Sequence, residues 1–414
     1  MDATTDLLPP VAASSISAFW KGPREQPLGM AALLVLAVVG MEITGVQPIL
    51  LGALVAEGRL TNAQLGLATT AEFFTLATVL SLAGALLRPV RLRLIAAIAA
   101  IVVIAMDLLV SRLSGTSIIV ARGMAGVAEG LLVWMPACMV ARAPNAAFWS
   151  AASLTLQCTT QLLFAAVLPV TLMASHGADG GFAALAALTL VALAMTPLLP
   201  NAFAPLTADH ATHRASPIPG PAGIAALAAV FLMAAFAIGL FAYFGLLASE
   251  SGLSPATLGI AVSAVLGAEI AGGIAATLCA RLRYFTALLI CLVAYAIVIA
   301  ALHFRLAATP FILTGALFGF FQVFLMPFQL PLVIESDPSR RAAIVLPGVQ
   351  LFGAATGPFI CSFFVTSSDS RGALTACVIF LAVALAIVAP LHLAHRRRPA
   401  PRDAAEGDGG DIYS

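Results

Sequence analysis

An arginine and a glutamate lie seven residues apart inside the apolar run VARGMAGVAEGLLVW, as Arg122 and Glu129. In an α-helix this spacing brings both side chains to within about 20° of one face but leaves them about 10 Å apart along the axis. A tight salt bridge between the two is therefore not expected. Because a charge inside a membrane is usually paired, we predict that Arg122 has an acidic partner on another helix.

Two carboxylates lie at a matching depth in neighbouring apolar runs. Asp107 and Arg122 are nearly equidistant from the short turn at 114–116, and Glu72 lies seven residues into a separate run. We predict that Asp107 or Glu72 neutralises Arg122. The alternative is a purely structural ion pair that fixes the register of the helices without any further role.

The remaining buried acids have no evident cation. Glu42 and Glu129 lie near the middle of their runs, and Glu269 lies beside Gly272 and Gly273. Burial disfavours the ionised form of an unpaired carboxyl, which is a property that a proton carrier requires. We predict proton exchange at Glu42, Glu129 and Glu269. The alternative is a protonated acid that is hydrogen-bonded to helix carbonyls, and for Glu269 an acid buried by packing alone.

A later run, LFGFFQVFLMPFQLP, combines aromatic side chains with two glutamines seven residues apart. This pattern favours an apolar wall with a few hydrogen-bonding points, suited to an amphipathic or aromatic molecule. Phenylalanines that face lipid are the alternative. The candidates for lining a substrate cavity are Gln322, Gln329, Phe321, Phe324 and Trp134.

No metal site or cofactor is expected. The six cysteines lie inside apolar runs without paired spacing, and we interpret them as packing residues. His210 and His213 are three residues apart, but no second cluster accompanies them, so we interpret them as part of a solvated loop.

Composition identifies the elements that must hold these residues. The chain has 414 residues, of which 61% are hydrophobic and 9% are charged, and its mean hydropathy is +1.04. About 20 apolar residues cross a bilayer as a helix. Twelve such spans are predicted, at 28–54, 65–87, 94–113, 118–141, 148–173, 182–199, 223–248, 257–280, 285–302, 310–334, 342–365 and 373–394.

The basic residues predict the orientation, because Lys and Arg are retained on the cytoplasmic side. With both termini in the cytoplasm, Arg59, Arg112, Arg305 and Arg371 fall outside. The cytoplasmic set is then Lys21, Arg24, Arg88, Arg91, Arg93, Arg142, Arg214, Arg281, Arg283, Arg340, Arg341, Arg396, Arg397, Arg398 and Arg402. This distribution predicts a multi-pass protein of a cell inner membrane.

The two halves of the chain align without a gap at an offset of 193 residues. LGALVAEGRLTNAQLGLATTA lies over FGLLASESGLSPATLGIAVSA, so that Gly52 falls on Gly245 and Glu57 on Glu250. Such self-similarity indicates an internal duplication. The predicted organisation is a cytoplasmic tail (residues 1–27), a first six-helix half (28–199), a central cytoplasmic loop (200–222), a second half (223–394) and a second tail (395–414).

Twelve spans in two parallel halves resemble the major facilitator superfamily of bacterial transporters. LTNAQLG, LSPATLG, GALLRPVRLR, ARGMAG and GAATGP are similar to motifs of that family. The basic loop carries Arg88 where the family usually has an acid, and the fifth span lacks the Gly-Pro motif of many antiporters. The resemblance implies that the first and fourth spans face a central cavity, which Glu42 and Glu129 would then share. Gly123, Gly126 and Gly130 would let another helix approach closely.

These observations together predict a secondary transporter that is not an enzyme. Proton-coupled efflux of a small amphipathic or aromatic molecule is the first hypothesis, and proton-coupled import of a small organic acid or sugar-like solute is the alternative. A membrane-embedded enzyme or a transporter-like sensor is a more distant alternative. The expected partners are the substrate, protons and the lipid bilayer, without nucleic acid, and the expected state is a monomer.

Overall fold

Twelve helices that are long and apolar enough to cross a membrane lie in the described part of the chain, which confirms the predicted all-helical, multi-pass architecture. The structure is a computed structural model, and it describes residues 27–140, 142–143, 146–203, 219–279, 281–337 and 341–397. Apart from one isolated bridge between Val90 and Ala202, these residues form no β-structure. The helices are α1 in two segments (Pro27–Val39 and Glu42–Ala56), α2 (Asn62–Leu86), α3 (Leu92–Val110), α4 (Thr116–Val140), α5 (Ala146–Val167), α6 (Leu172–Met195), α7 (Pro221–Glu250), α8 (Pro255–Leu278), α9 (Tyr284–Leu302), α10 (Ala308–Ser336), α11 (Arg341–Ser362) and α12 (Gly372–Arg397).

Several predicted features fall outside the described residues. They include most of both tails and of the central loop, with Lys21, Arg24, His210, His213, Arg214, Arg340, Arg398 and Arg402.

Two helices differ from their predicted form. The first span is interrupted between Val39 and Glu42, where the sequence predicted one continuous helix. The sixth span has a short helical segment that starts at Leu172, ten residues before the predicted start at residue 182. The backbone of Gly177 is not helical (φ 58°, ψ −144°), and it separates this segment from the long helix that continues to Met195.

The repeated motif at the start of α2 and α8 has the same local role in both halves. The hydroxyl of Thr61 accepts a hydrogen bond from the backbone N–H of Gln64 at 3.2 Å. The hydroxyl of Ser254, which lies 193 residues later, accepts one from the N–H of Thr257 at 3.2 Å. Both residues are therefore N-caps, which explains why a hydroxyl recurs at this position.

Two acids that align in the repeat are also structural. A carboxylate oxygen of Glu57 accepts a hydrogen bond from the N–H of Ala178 in α6 at 2.6 Å. A carboxylate oxygen of Glu250 accepts one from the N–H of Ser370, just before α12, at 2.7 Å. Each acid thus ties the end of the first helix of its half to the last helix of that half.

The two halves pack against each other through contacts that also obey the offset. A Cβ added at Gly66 of α2 would lie 2.6 Å from the carbonyl oxygen of Pro358 in α11, and one at Gly259 of α8 would lie 2.6 Å from that of Ala165 in α5. Gly259 lies 193 positions after Gly66, and Pro358 lies 193 positions after Ala165. The α2–α11 and α5–α8 packings are therefore related by pseudo-symmetry.

We call the face that carries the turns at 57–61, 111–115, 251–254 and 363–371 the far side, and the opposite face the near side. The turns of the first half are joined there, since the N–H of Gly115 donates to the carbonyl of Arg59 at 2.7 Å. The amide of Asn62 crosses between the halves and donates to the carbonyl of Thr366 at 2.8 Å. The halves are therefore held together towards the far side.

The crossing of α1 and α7 gives a test of the pseudo-symmetric packing. A Cβ at Gly52 would find its nearest neighbour, Gly245, at 3.8 Å, whereas a Cβ at Gly245 would overlap the carbonyl oxygen of Pro48. We expect Gly245→Ala to lower the free energy of unfolding by about 1–3 kcal/mol, since overpacking forces the backbones apart. Thermal melting of the purified protein in detergent measures the effect. Gly52→Ala is the matched control, and equal melting temperatures for the two variants would contradict the packing.

Candidate functional site

The side chain of Arg122 is fully buried and is neutralised by acids from two other helices. Its Nε and Nη2 atoms donate to the two carboxylate oxygens of Glu72 in α2, with the Nε bond at 3.2 Å. Its Nη1 atom donates to Asp107 Oδ1 in α3 at 2.6 Å. The structure thus brings Arg122 together with both of its candidate partners at once, and the Glu72 contact has the two-pronged geometry that favours arginine.

Glu129 and Phe182 complete the surroundings of the guanidinium. Glu129 Oε1 accepts a hydrogen bond from Arg122 Nη2 at 3.4 Å, the longest of the ion pairs of this arginine. The seven-residue spacing predicted no tight salt bridge, and the two long side chains span the axial separation to make this weaker contact. The Arg122 Cζ atom lies 5.5 Å from the centroid of the Phe182 ring in α6, within the range of a cation–π contact. We call Glu72, Asp107, Arg122 and Glu129 the Arg122 cluster.

Glycines on α4 set the distance between its backbone and that of α2. A Cβ at Gly126 would overlap the carbonyl oxygen of Glu72, and one at Gly130 would lie 2.8 Å from that of Leu76. The predicted close approach of another helix is confirmed at these two positions. Since the two backbones touch here, Glu72 and Arg122 meet without either side chain having to extend far.

Glu42 lies at the start of the second segment of α1 and has no hydrogen-bond partner for either carboxylate oxygen among the described residues. Glu129 Oε2 has none either. Both acids line a small cavity with about the room of one water molecule. Its lining consists of Val39, Glu42, Ile43, Val103, Asp107, Glu129, Leu185, Leu188 and Thr189.

The position of this cavity differs from the one that the family resemblance implied. Glu42 and Glu129 do share one space, but its lining comes from α1, α3, α4 and α6, which all belong to the first half. It is therefore a pocket inside one six-helix bundle and not a space between the two halves. The reason is that the carboxylate of Glu129 is drawn towards Arg122, which lies among α2, α3 and α6.

The charges of this site do not balance when every group is ionised. One arginine faces the three acids of the Arg122 cluster, and Glu42 adds a fourth acid beside the same cavity. Uncompensated charge is costly in a buried, low-dielectric setting. The arrangement is therefore suited to bind small positive charges, of which the proton is the simplest.

The second half packs its helices in the same way without these charges. Gly319 of α10 approaches the carbonyl of Val265 as Gly126 approaches that of Glu72, so Val265 corresponds to Glu72. By the same offset Gly315 corresponds to Arg122, and the ring of Phe244 lies beside it, 2.8 Å from an added Cβ. Counted from the starts of α3 and α9, Ile299 corresponds to Asp107. Glu129 corresponds to Gln322, so the equivalent positions hold no charge.

The remaining cavity candidates of the second half lie along α10. Gln329 is buried and accepts a hydrogen bond from the amide of Gln350 in α11 at 2.7 Å. The side-chain oxygen of Gln322 is buried and has no partner among the described residues. Phe324 is buried and Phe321 is half-buried, and their rings lie 6.0 Å apart in an edge-to-face arrangement.

Trp134 and Glu269 lie apart from these residues. Trp134 is buried within an apolar cluster of the first half that also contains Leu33, Leu36 and Met135. Glu269 of α8 is half-buried and lies within electrostatic reach of Cys158 in α5. The structure does not bring either residue into the Arg122 cluster.

Two features of the site were not predicted from the sequence. They are the interruption of α1 beside Glu42 and the contact that Gln161 of α5 makes with this interruption. The stretch GMEITG carried a usable signal, because glycines on both sides of an acid weaken a helix.

No family model matches the chain, and no curated protein is similar to it in sequence. Solved structures are similar in fold. A bacterial homologue of the human lysosomal transporter Spinster, in an inward-facing and unoccupied conformation, superposes with a TM-score of 0.67 at 14% identity, covering 91% of this chain and all of that one. The nucleoside transporter NupG gives a TM-score of 0.64 at 13% identity, covering 90% of this chain and 100% of that one.

The ion pairing of Arg122 generates a prediction about stability. We expect Arg122→Gln to lower the free energy of unfolding by about 3–5 kcal/mol, because acids then remain buried without their cation. The triple variant Glu72→Gln, Asp107→Asn, Arg122→Gln removes both signs of charge and should melt close to the wild type. Thermal melting in detergent at neutral pH compares them. A triple variant less stable than Arg122→Gln would show that burial of the acids is not the cost.

Proposed function

We propose that this protein, which has the twelve-helix fold of the major facilitator superfamily, is a proton-coupled secondary transporter that exports a small organic molecule by alternating access. The observation that carries this proposal is the excess of acids around Arg122, together with Glu42, whose carboxylate has no partner among the described residues. Glu42 and Glu129 are the proposed sites of proton exchange, and Glu269 is a third candidate.

The repeat argues against a purely structural role for the charges. If ion pairs were needed to hold α2, α3 and α4 together, then α8, α9 and α10 should need them as well. The equivalents of Glu72 and Arg122 are Val265 and Gly315, and the close approach of the helices is nevertheless the same. Charges that packing does not require, and that cost free energy to bury, support a role in transport.

Transport would proceed by rocking of the two predicted halves, residues 28–199 and 223–394. Contacts between them at Asn62, Gly66 and Thr70 lie towards the far side. If the basic residues keep the termini in the cytoplasm of an inner membrane, the far side is external and these contacts belong to a form closed to the outside. The similarity to an inward-facing transporter agrees with this assignment.

The surface of α10 supports an amphipathic or aromatic substrate. Phe320, Phe321, Phe324 and Phe328 form a continuous series of ring contacts, with centroid distances from 5.0 to 6.0 Å. Gln322 lies in the same stretch of α10 but on another face of the helix, and its buried side-chain oxygen has no partner among the described residues. The helix thus carries an apolar, aromatic face and a separate hydrogen-bonding group, the two features that an amphipathic or aromatic substrate requires. Outward transport follows the resemblance of Glu42 and Arg122 to the pattern of exporters, and we propose a monomer as the working unit.

Reconstitution into liposomes with an imposed pH gradient tests the function. Ethidium, uridine and benzoate serve as probes for an aromatic cation, a nucleoside and an organic acid. We expect at least one of them to drive proton flux in the wild type. Glu42→Gln should reduce that flux to the level of protein-free liposomes, because an amide cannot carry the proton, while exchange of the probe without a gradient continues.

Glu269→Gln separates the candidates, since Glu269 is the candidate acid outside the Arg122 cluster. It should retain the flux if coupling belongs to the first half, and it should lose the flux if Glu269 carries the proton. Full proton flux in Glu42→Gln would contradict the proposed role of Glu42, and no flux with any probe in the wild type would count against proton-coupled transport.

A further inference from the structure

The interruption of α1 ends at the residue before Glu42. Met41 has φ −126° and ψ 1°, which is outside the helical region, and the second segment starts at Glu42. The carbonyl oxygen of Met41 accepts hydrogen bonds from the backbone N–H of Thr44 at 3.2 Å and from the hydroxyl of the same residue at 2.6 Å, so it closes a short turn. The direction of the Glu42 side chain therefore depends on how this short turn is held.

Gln161 of α5 holds the turn from another helix. Its Nε2 atom donates to the carbonyl of Met41 at 2.6 Å and lies 3.1 Å from the hydroxyl of Thr44. The residue is buried, and Gly45 lies directly against it, since a Cβ at position 45 would come within 2.5 Å of Gln161 Cδ. The glutamine thus fits a space that only a glycine on α1 leaves open.

The next residue on α5 is joined to the second half. The carbonyl oxygen of Leu162 accepts a hydrogen bond from the hydroxyl of Ser263 in α8 at 3.3 Å. A few residues further, Gly259 of α8 packs against the carbonyl of Ala165. The second half therefore contacts α5 on the helix turn that carries Gln161.

The hydrogen bond between Ser263 and Leu162 has an equivalent at the other contact between the halves, but Gln161 has no equivalent there. Thr70 of α2 donates to the carbonyl of Ala355 in α11 at 2.9 Å, and both residues correspond at the offset of 193 to Ser263 and Leu162. The position equivalent to Gln161 is Ala354.

The partners of Gln161 have also changed in the second half. Ile238 stands in the place of Gly45 and Ala235 in that of Glu42, and α7 runs without interruption from Pro221 to Glu250. The helix break, the acid and the glutamine thus occur together in one half and are absent together from the equivalent positions of the other. The fold itself does not require them.

We propose that Gln161 is a positioning residue that transmits the relative movement of the two halves to Glu42. This inference rests on the proposed function. When α8 shifts against α5, Gln161 shifts the Met41 turn and so turns Glu42 towards or away from the cavity that it shares with Asp107 and Glu129. Conversely, the protonation state of Glu42 biases the contact between α5 and α8.

Pulsed electron spin resonance on the full-length protein in nanodiscs tests the positioning role of Gln161. The pH is varied, so that protons are the ligand. Spin labels on non-canonical amino acids at Ser111 and Ser368, both exposed on the far side, report the distance between the halves without use of the native cysteines. We expect the ratio of the two distance populations in the wild type to change with pH. Glu42→Gln should abolish the change.

Gln161→Met keeps the length of the side chain but cannot donate, and it should weaken the pH response by about threefold to tenfold, the size expected for one lost hydrogen bond. Gln161→Glu should respond only at lower pH, because a carboxyl donates to the Met41 carbonyl only when it is protonated. Gln157→Met is the matched control, since Gln157 lies one turn earlier on α5 and bonds Ser153 of the same helix. Gln161→Ala replaces the methionine variant if that one does not fold.

The outcomes separate this inference from the proposed function. If the wild type responds to pH and Glu42→Gln does not, while the Gln161 variants respond like the wild type, the positioning role is overturned and proton coupling stands. If the wild type does not respond to pH and carries no proton flux, the proposed function fails and the positioning role fails with it.

Discussion

Burial of one guanidinium away from water is the constraint on which the first half of this protein depends. Arg122 is fully buried, and at neutral pH an arginine does not lose its charge. Its charge must therefore be met by acids from neighbouring helices, and α2 and α3 supply Glu72 and Asp107. Glycines on α4 bring the backbones near enough for this pairing. The site thus rests on backbone contact first and on charge second.

The second half shows what the same fold does when that constraint is absent. Small residues keep the close approach of α8 and α10, and aromatic rings fill the volume, with Phe236 and Tyr295 at a centroid distance of 4.6 Å. The two pseudo-symmetric halves therefore differ as a charged bundle with a broken helix and an apolar, aromatic bundle. We interpret this difference as a division of roles between proton exchange and contact with the substrate.

Much of this arrangement could be predicted from the sequence, because a bilayer restricts the length of the helices that cross it and the depth of each residue along them. Spans follow from the length of apolar runs, and the depth of a residue follows from its distance to a turn, which is why Asp107 and Glu72 were predicted beside Arg122. The repeat appears in the N-caps Thr61 and Ser254. The glycines of GMEITG were a signal for the break in α1, but the contact of Gln161 with this break could not be predicted, since Gln161 is 120 residues away from Met41. The position of the cavity could not be predicted either, because it depends on the orientation of the Glu129 side chain, which contacts Arg122.

We propose that the buried acids of the first half bind protons, and infrared difference spectroscopy detects such binding at the carboxyl groups themselves. The stretching band of a protonated carboxyl is separate from that of a carboxylate, and the purified protein can be stepped between pH values in a lipid film. We expect acidification to increase the protonated band, and we expect Glu42→Gln to remove part of this increase while Glu269→Gln leaves that part in place. An identical increase in the wild type and in Glu42→Gln would contradict this proposal.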